Sequence, residues 1–368
     1  MCPSCGRSLE IDYDYKKIKK VLTKRLLCKR PFNHARYREL FPVKKLVSIQ
    51  EGGTHLLESR NIGPRFGIDL WFKLEQLNPT GSFKDRGSSV EIAQALKYGA
   101  KNVVCASTGN MGASVSAYSA VANLKCHIFV PKSANHVKIE QILAYGSKVF
   151  HVPAGYNNVE ALVQRIGARK DFYLLGDYLW RREGTKSIGY EILEQTRANW
   201  VFAPVGNGTL VSALWKGTRE FNCLELADKT PRIAAVQASG CSPLVKAWKT
   251  GSCIERQKNA NTVAHAIECE KPIDGERALN AIRQSGGFAS QVTDSEILKA
   301  RDMLAREEGI FAEPSGAVSL AGLLKAKDHI KGRVVCVITG HGLKAPFTAI
   351  VTEPVETSLR ELEKTFLK

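Results

Sequence analysis

No apolar run in this sequence approaches the length needed to cross a bilayer, and the charged first residues carry no apolar signal core. Neither a membrane span nor secretion is therefore expected. Internal repeats and low-complexity tracts are missing as well. Acidic residues are scarce, with 36 Asp plus Glu against 53 Lys plus Arg, which leaves a formal charge of +17. Apart from a denser segment from Lys16 to Arg38, the surplus is spread along the chain and no nucleic-acid motif carries it. Solvated surface and anionic small ligands account for the surplus, and no nucleic-acid partner is expected. A second C-x-x-C is also lacking. Cys2 and Cys5 in "CPSCG" have metal-knuckle spacing, but structural zinc needs four ligands and the next cysteine, Cys28, stands alone. No metal is expected; a zinc completed by Cys28, His34 or a second subunit is the alternative. The ten cysteines are scattered, several inside apolar runs such as Cys105 in "NVVCAST" and Cys336 in "VVCVITG". They read as reduced, packed thiols, which points to a reducing compartment and the cytoplasm.

Hydrophobic residues make up 44% of the 368 and charged residues 24%, enough for the core of one large domain or two intimately joined ones. Short β-rich runs, "IDLWFKL", "VVCAST", "CHIFVP", "KVFHVP", "FYLLG", "NWVFAPV", "RIAAVQA" and "RVVCVIT", alternate with helical stretches such as "GNMGASVSAYSAVANL". That alternation predicts parallel strands with crossover helices, an α/β doubly wound class. Three predicted strands run straight into small polar residues: "ASTGN" ends at Asn110, "PVGNG" at Gly208 and "ITGHG" at Gly342. Ligands of open α/β sheets bind beyond the carboxyl ends of strands, so these loops are expected to share one site. The weakly periodic segment from 251 to 274 reads as an extended loop on the ligand side.

A fourth stretch, "NPTGSFKDRG" from Asn78 to Gly87, sets Lys84 at a loop-to-helix junction between Phe83 and Asp85. A lysine so placed is either an imine-forming nucleophile or a solvated charge in a first helical turn. "GNGTL" at 206–210 suits a phosphate, because glycines let backbone N–H groups approach an anion and a helix N-terminus follows. It is neither a P-loop nor a dinucleotide fingerprint, and taken alone it reads equally as a tight turn. Together, an amine, a glycine-rich cradle and a Ser-Thr-Gly-Asn turn are what pyridoxal phosphate requires.

The stretches "VSIQEGGTHLL", "NPTGSFKDRG", "CASTGN", "EGTKSIGYEI", "PVGNGTL", "SGGFASQVTDSEI", "REEGIFAEPSGAVSLAG" and "ITGHGLK" occur in order over about residues 40 to 345. In them the chain resembles the threonine synthases, of the fold shared with cysteine synthase and threonine dehydratase. The resemblance implies a tryptophan synthase beta-subunit-like, fold type II enzyme: two open parallel-sheet α/β domains with pyridoxal 5'-phosphate between them. The implied organisation is an N-terminal extension over 1–40 with a degenerate half zinc-ribbon, a larger domain from 41–75 plus 180–350, a smaller one over 76–179, and a tail over 351–368.

The resemblance further implies that Lys84 bonds the cofactor and shuttles protons, and that Asn110 meets the ring hydroxyl oxygen. Gly206, Asn207, Gly208 and Thr209 would hold the phosphate, and Thr339, with Ser315 second, would face the pyridine nitrogen. A neutral hydroxyl there suits elimination and replacement better than transamination. Ser107, Thr108, Arg181 and Lys186 are the candidates for a small anionic amino-acid substrate, O-phosphohomoserine; surface charge is the other reading of the last two. A homodimer is implied too.

Four stretches depart from the family. "LLGDYLWRREGTKS" replaces an N-S-x-N-P segment and puts Asp177 where it would repel a phosphate; the glycine loop is shorter; "AIECEKP" is altered; and Ala345 replaces an aspartate. These keep two rival readings open: another lyase or β-replacement enzyme on the same scaffold, and a non-catalytic basic binding protein.

Overall fold

The computed structural model describes residues 9–107, 109–131 and 136–345. Cys2, Cys5, Thr108 and the 351–368 tail lie outside them. In chain order the strands are β1 Leu56–Glu58, β2 Leu70–Leu74, β3 Asn102–Ala106, β4 Lys125–Pro131, β5 Lys148–Val152, β6 Phe172–Leu175, β7 Trp200–Pro204, β8 Arg232–Ala238, β9 Phe288–Val292 and β10 Val334–Ile338. They form two sheets, ordered β1-β2-β10-β7-β8-β9 and β5-β4-β3-β6. All neighbours are parallel except β1 and β2. The chain thus has the two open, mainly parallel α/β sheets that its sequence predicts. β1 and β9, which no apolar run announces, are the two edges of the larger sheet.

Parallel sheets need cover on both faces, and the period-2 alternation of the strands supplies it. Phe202, Val334, Cys336 and Ile338 pack with Val318 and Leu320 from the helix Pro314–Ala326. Their neighbours Val201, Ala203, Val335 and Val337 pack with Leu210 and Leu214 of the helix Thr209–Cys223 on the opposite face. In the smaller sheet Val103 and Cys105 face Ile92 and Val115, while Val104 and Ala106 face Val159 and Val163.

The connectivity fixes where a ligand can enter. In the larger sheet the chain winds from β7 outward to β9, whereas β10 lies on the other side of β7; in the smaller sheet it winds from β3 outward to β5, with β6 on the other side of β3. Each sheet therefore has a switch point where neighbouring strand ends diverge and open a crevice. Residues 206–209 and 339–341 follow the strands at one, and Ser107, Gly109 and Asn110 together with 176–178 follow those at the other.

The N-terminal residues are integrated with the body. Leu22, Leu27, Tyr37 and Leu40 share a core with Tyr190 and Phe221, and Tyr13 donates its hydroxyl to Glu183 at 2.8 Å. His34 is buried, its Nδ1 2.9 Å from the Ser187 hydroxyl, while Cys28 is exposed. Among the described residues no group of three or more His, Cys, Asp or Glu side chains could hold a metal.

Candidate active site

The motif around Lys84 assigns a separate task to each residue. The helix Lys84–Lys97 begins at Lys84 itself. Asp85 turns away from the cavity, accepting from the Thr80 N–H at 2.8 Å and from the Thr80 and Ser114 hydroxyls at 2.6 Å each, which ties down the preceding turn. Burial pushes the Asp85 carboxyl up to about 6, against the pull of those bonds. Arg86, fully buried, pairs with Glu75 at 2.7 Å and Glu191 at 2.6 Å, and Glu191 also takes Lys73 at 2.6 Å. Gly87 is required by contact: a Cβ there would lie 2.5 Å from Arg181 Cγ. On the facing helix, Leu179–Thr185, a Cβ on Gly184 would collide with the Arg86 carbonyl oxygen. With its neighbours anchored, Lys84 is the cation of the motif left in the cavity wall.

The loop from Gly206 to Thr209 has the character of an anion cradle. Gly208 has φ +90°, a conformation costly for other residues, and a Cβ on it would sit 2.9 Å from the Asp274 carbonyl. The N–H groups of residues 206–209 donate to no acceptor among the described residues, and the buried Thr209 hydroxyl also lacks a partner there. These groups, with the start of the helix Thr209–Cys223, fit a phosphate. Across the cavity, Asn110 donates to Glu313 at 2.5 Å while its own buried Oδ1 has no partner among the described residues. Lys138 donates to the same Glu313 carboxylate at 3.0 Å. The Ser107 hydroxyl accepts from the N–H groups of Gly109 at 3.1 Å and Gly112 at 2.8 Å, shaping the turn before the helix Asn110–Val121. Thr339 and Ser315 line the wall, and Ser315 accepts the Ala266 N–H at 3.1 Å.

Asp177 joins the two sides. Its carboxylate takes the Lys84 amine at 3.1 Å and, through the other oxygen, the Asn207 amide at 2.8 Å. Burial alone would raise this carboxyl, but the Lys84 ammonium, the Arg181 guanidinium and the Asn207 amide hold it below the usual carboxylate range. Sequence reasoning placed Asp177 near a phosphate that it would repel; the structure shows it bridging the Lys84 amine and the Asn207 side chain. The available signal was topological, since Asp177 follows β6 at a switch point. Glu313, Lys138 and Cys269 were also not anticipated; Cys269 donates its thiol to Asn207 Oδ1 at 2.9 Å.

Arg181 and Lys186 need correction. Neither lines the cavity. Arg181 is buried against Glu91 at 2.5 Å, and Lys186 is buried between Glu183 at 2.7 Å and Glu220 at 2.9 Å. Cations so enclosed satisfy buried carboxylates and are withheld from a substrate.

The crevice between the switch points is a cavity of about 730 Å³, lined by Lys84, Asn110, Asp177, the 206–209 loop, Glu313, Ser315 and Thr339. The loop from 251 to 274, nearly devoid of regular structure, contributes Arg256, His265, Glu268 and Cys269 to its rim. The amine, with backbone amides and an Asn110 oxygen that lack partners among the described residues, fits pyridoxal phosphate in size and donor chemistry.

Residues 47–340 match the family described as pyridoxal-phosphate dependent enzymes. The chain is 42% identical to threonine synthase of Methanocaldococcus jannaschii, over 94% of this chain and 89% of that one. It is 41% identical to threonine synthase of Methanosarcina acetivorans, over 95% and 89%. Among solved structures it is similar to maize serine racemase, with a TM-score of 0.71 and 22% identity over 85% of this chain and 91% of that one. Serine racemase of Dictyostelium discoideum gives 0.67 and 28% over 78% and 92%.

Proposed function

This chain belongs to the pyridoxal-phosphate dependent enzyme family, and we propose that it catalyses the threonine synthase reaction, converting O-phosphohomoserine and water to threonine and phosphate. The observation that carries this reading is the 42% identity to a threonine synthase across 94% of the chain. Bound pyridoxal phosphate supplies an electron sink for the charge left when protons depart from carbon. Lys84 is the residue placed to bond the cofactor and, once displaced, to move protons at Cα and Cβ of the substrate. The amides of residues 206–209 hold the cofactor phosphate, Asn110 meets its ring oxygen, and Thr339 or Ser315 offers a neutral hydroxyl to the ring nitrogen. Ser107, which lines the cavity, is a ligand for the substrate's phosphate or carboxylate. The protein acts in the cytoplasm as a homodimer.

The altered substrate-side loops favour one second reading, a dehydratase or β-replacement enzyme on the same scaffold. Asp177, 3.1 Å from the Lys84 amine in a stretch that departs from the family, is the observation behind it. One experiment separates the two. Cofactor-loaded protein is given O-phosphohomoserine, O-phosphoserine, serine or threonine, and phosphate, threonine and keto acid are followed. Threonine and phosphate in equal amounts from O-phosphohomoserine, falling by at least about 10³-fold in Lys84→Ala, are expected. Inert O-phosphohomoserine beside turnover of another substrate would replace the reading.

A further inference from the structure

We infer that Asp177 is a positioning residue for Lys84, holding its amine beside the cradle whenever that amine is not bonded to the cofactor. The geometry is specific. One carboxylate reaches Lys84 through an oxygen 3.1 Å away and Asn207 through an oxygen 2.8 Å away. It is itself fixed, since its side chain is 5% exposed and Asn207 is held in turn by the Cys269 thiol at 2.9 Å and the Ile273 N–H at 3.4 Å. The Lys84 side chain is 16% exposed, so little water competes for the pair.

The arrangement has opposite effects at two moments. Before loading, the pair retards capture of the cofactor. To react, the ammonium must leave Asp177 and lose a proton to solvent; its nitrogen then bonds the aldehyde carbon of pyridoxal phosphate, whose oxygen departs as water. During turnover substrate displaces the amine, and the same carboxylate gives it a fixed resting place from which to act at Cα. A residue with only a structural role would impair both moments when removed, whereas Asp177 slows one and assists the other. The turnover half rests on the proposed function; the capture half does not.

The test compares wild type, Asp177→Asn and Asp177→Glu. Capture is read from the visible absorbance that grows when cofactor-free protein is mixed with pyridoxal phosphate, and turnover from phosphate release out of O-phosphohomoserine. Asp177→Asn is expected to capture the cofactor roughly tenfold faster, because a neutral amide holds the amine less tightly. Its kcat is expected to fall roughly tenfold with a smaller change in KM, as the displaced amine loses its position. Asp177→Glu moves both values back toward wild type. Capture that is unchanged or slower in Asp177→Asn overturns the inference, as does Asp177→Glu behaving like Asp177→Asn. Pyridoxal without its phosphate is the second probe: a gain confined to pyridoxal phosphate would be relief of phosphate repulsion and would also overturn it. Should Asp177→Asn fail to fold, Asp177→Ser carries the same comparison. If wild type captures the cofactor but leaves O-phosphohomoserine untouched, the proposed substrate falls while the capture rates still decide the role of Asp177.

Discussion

Gly208 carries two demands at one Cα. Its φ of +90° disfavours any side chain, and the Asp274 carbonyl leaves no room for one. Gly208→Ala costs roughly 1–2 kcal/mol from the backbone conformation. The strain is relieved most easily by shifting the loop, which turns the 206–209 amides from their common target. Cofactor affinity, titrated by absorbance, is therefore expected to drop at least about tenfold while the melting temperature moves by only a few degrees. A comparable loss of both would mean that the loop is a structural turn and not a cradle. Single residues also show where sequence reading stops. The roles of Lys84 and Asn110 are suggested by short local patterns, but Asp177 meets Lys84 across 93 positions, and no spacing rule connects them. Arg181 and Lys186 look like surface charges at a helix start: the partner of Arg181, Glu91, lies 90 positions away, and Lys186, beside Glu183, is enclosed by Glu220 from 34 positions on.

At the level of elements, most of the parallel strands are legible because burial on both faces writes a continuous apolar run. Val334–Ile338 is buried at every position. Leu56–Glu58 escapes notice because it is only three residues long and pairs antiparallel at an edge, and Phe288–Val292 because its edge position tolerates Ser290 and Gln291. The sheet order and its two switch points are not legible, since pairing is decided by packing between distant segments. The helix crossing behind Lys84 supplies a test. Arg181→Met keeps most of the volume yet strands Glu91 in a buried site, whose carboxyl burial already pushes upward. A loss of about 3–5 kcal/mol in denaturant unfolding is expected, with KM for O-phosphohomoserine nearly unchanged in the folded fraction. A substrate ligand would behave in the reverse way, with KM rising and stability kept.

Across the whole molecule, the two sheets are joined around the cavity by polar contacts. Glu313, ahead of the helix Pro314–Ala326, receives Asn110 and Lys138 from the elements of the smaller sheet. Lys344, beyond β10, donates to the Thr80 carbonyl at 2.8 Å and also bonds Gln141. Burial, with help from Lys138, pulls the Lys344 ammonium from 10.5 down to about 8, against the attraction of Glu313 and Asp85. Between about 8 and 10.5 the unfolded chain keeps a proton that the native chain has released, so this residue's contribution makes stability rise with pH through that window. The gain is at most roughly 3 kcal/mol. Urea unfolding at stepped pH is expected to show a flatter profile above pH 8 in Lys344→Met than in wild type. Identical slopes would mean that the amine at the joint is not desolvated.

Gly87 and Gly184 let the helices Lys84–Lys97 and Leu179–Thr185 pack in close contact, so Lys84 takes part of its position from main-chain atoms. The rim loop from 251 to 274 is different: Arg256, His265 and Glu268 reach the cavity as side chains on nearly irregular backbone. The amine and these rim side chains thus stand on separate segments of the chain. The two are nevertheless linked, because Cys269 and Ile273 of the rim loop hold Asn207, which meets the Asp177 carboxylate beside Lys84. A change at Arg256, His265 or Glu268 therefore alters the cavity wall without touching that line of contacts, whereas one at Cys269 reaches the amine.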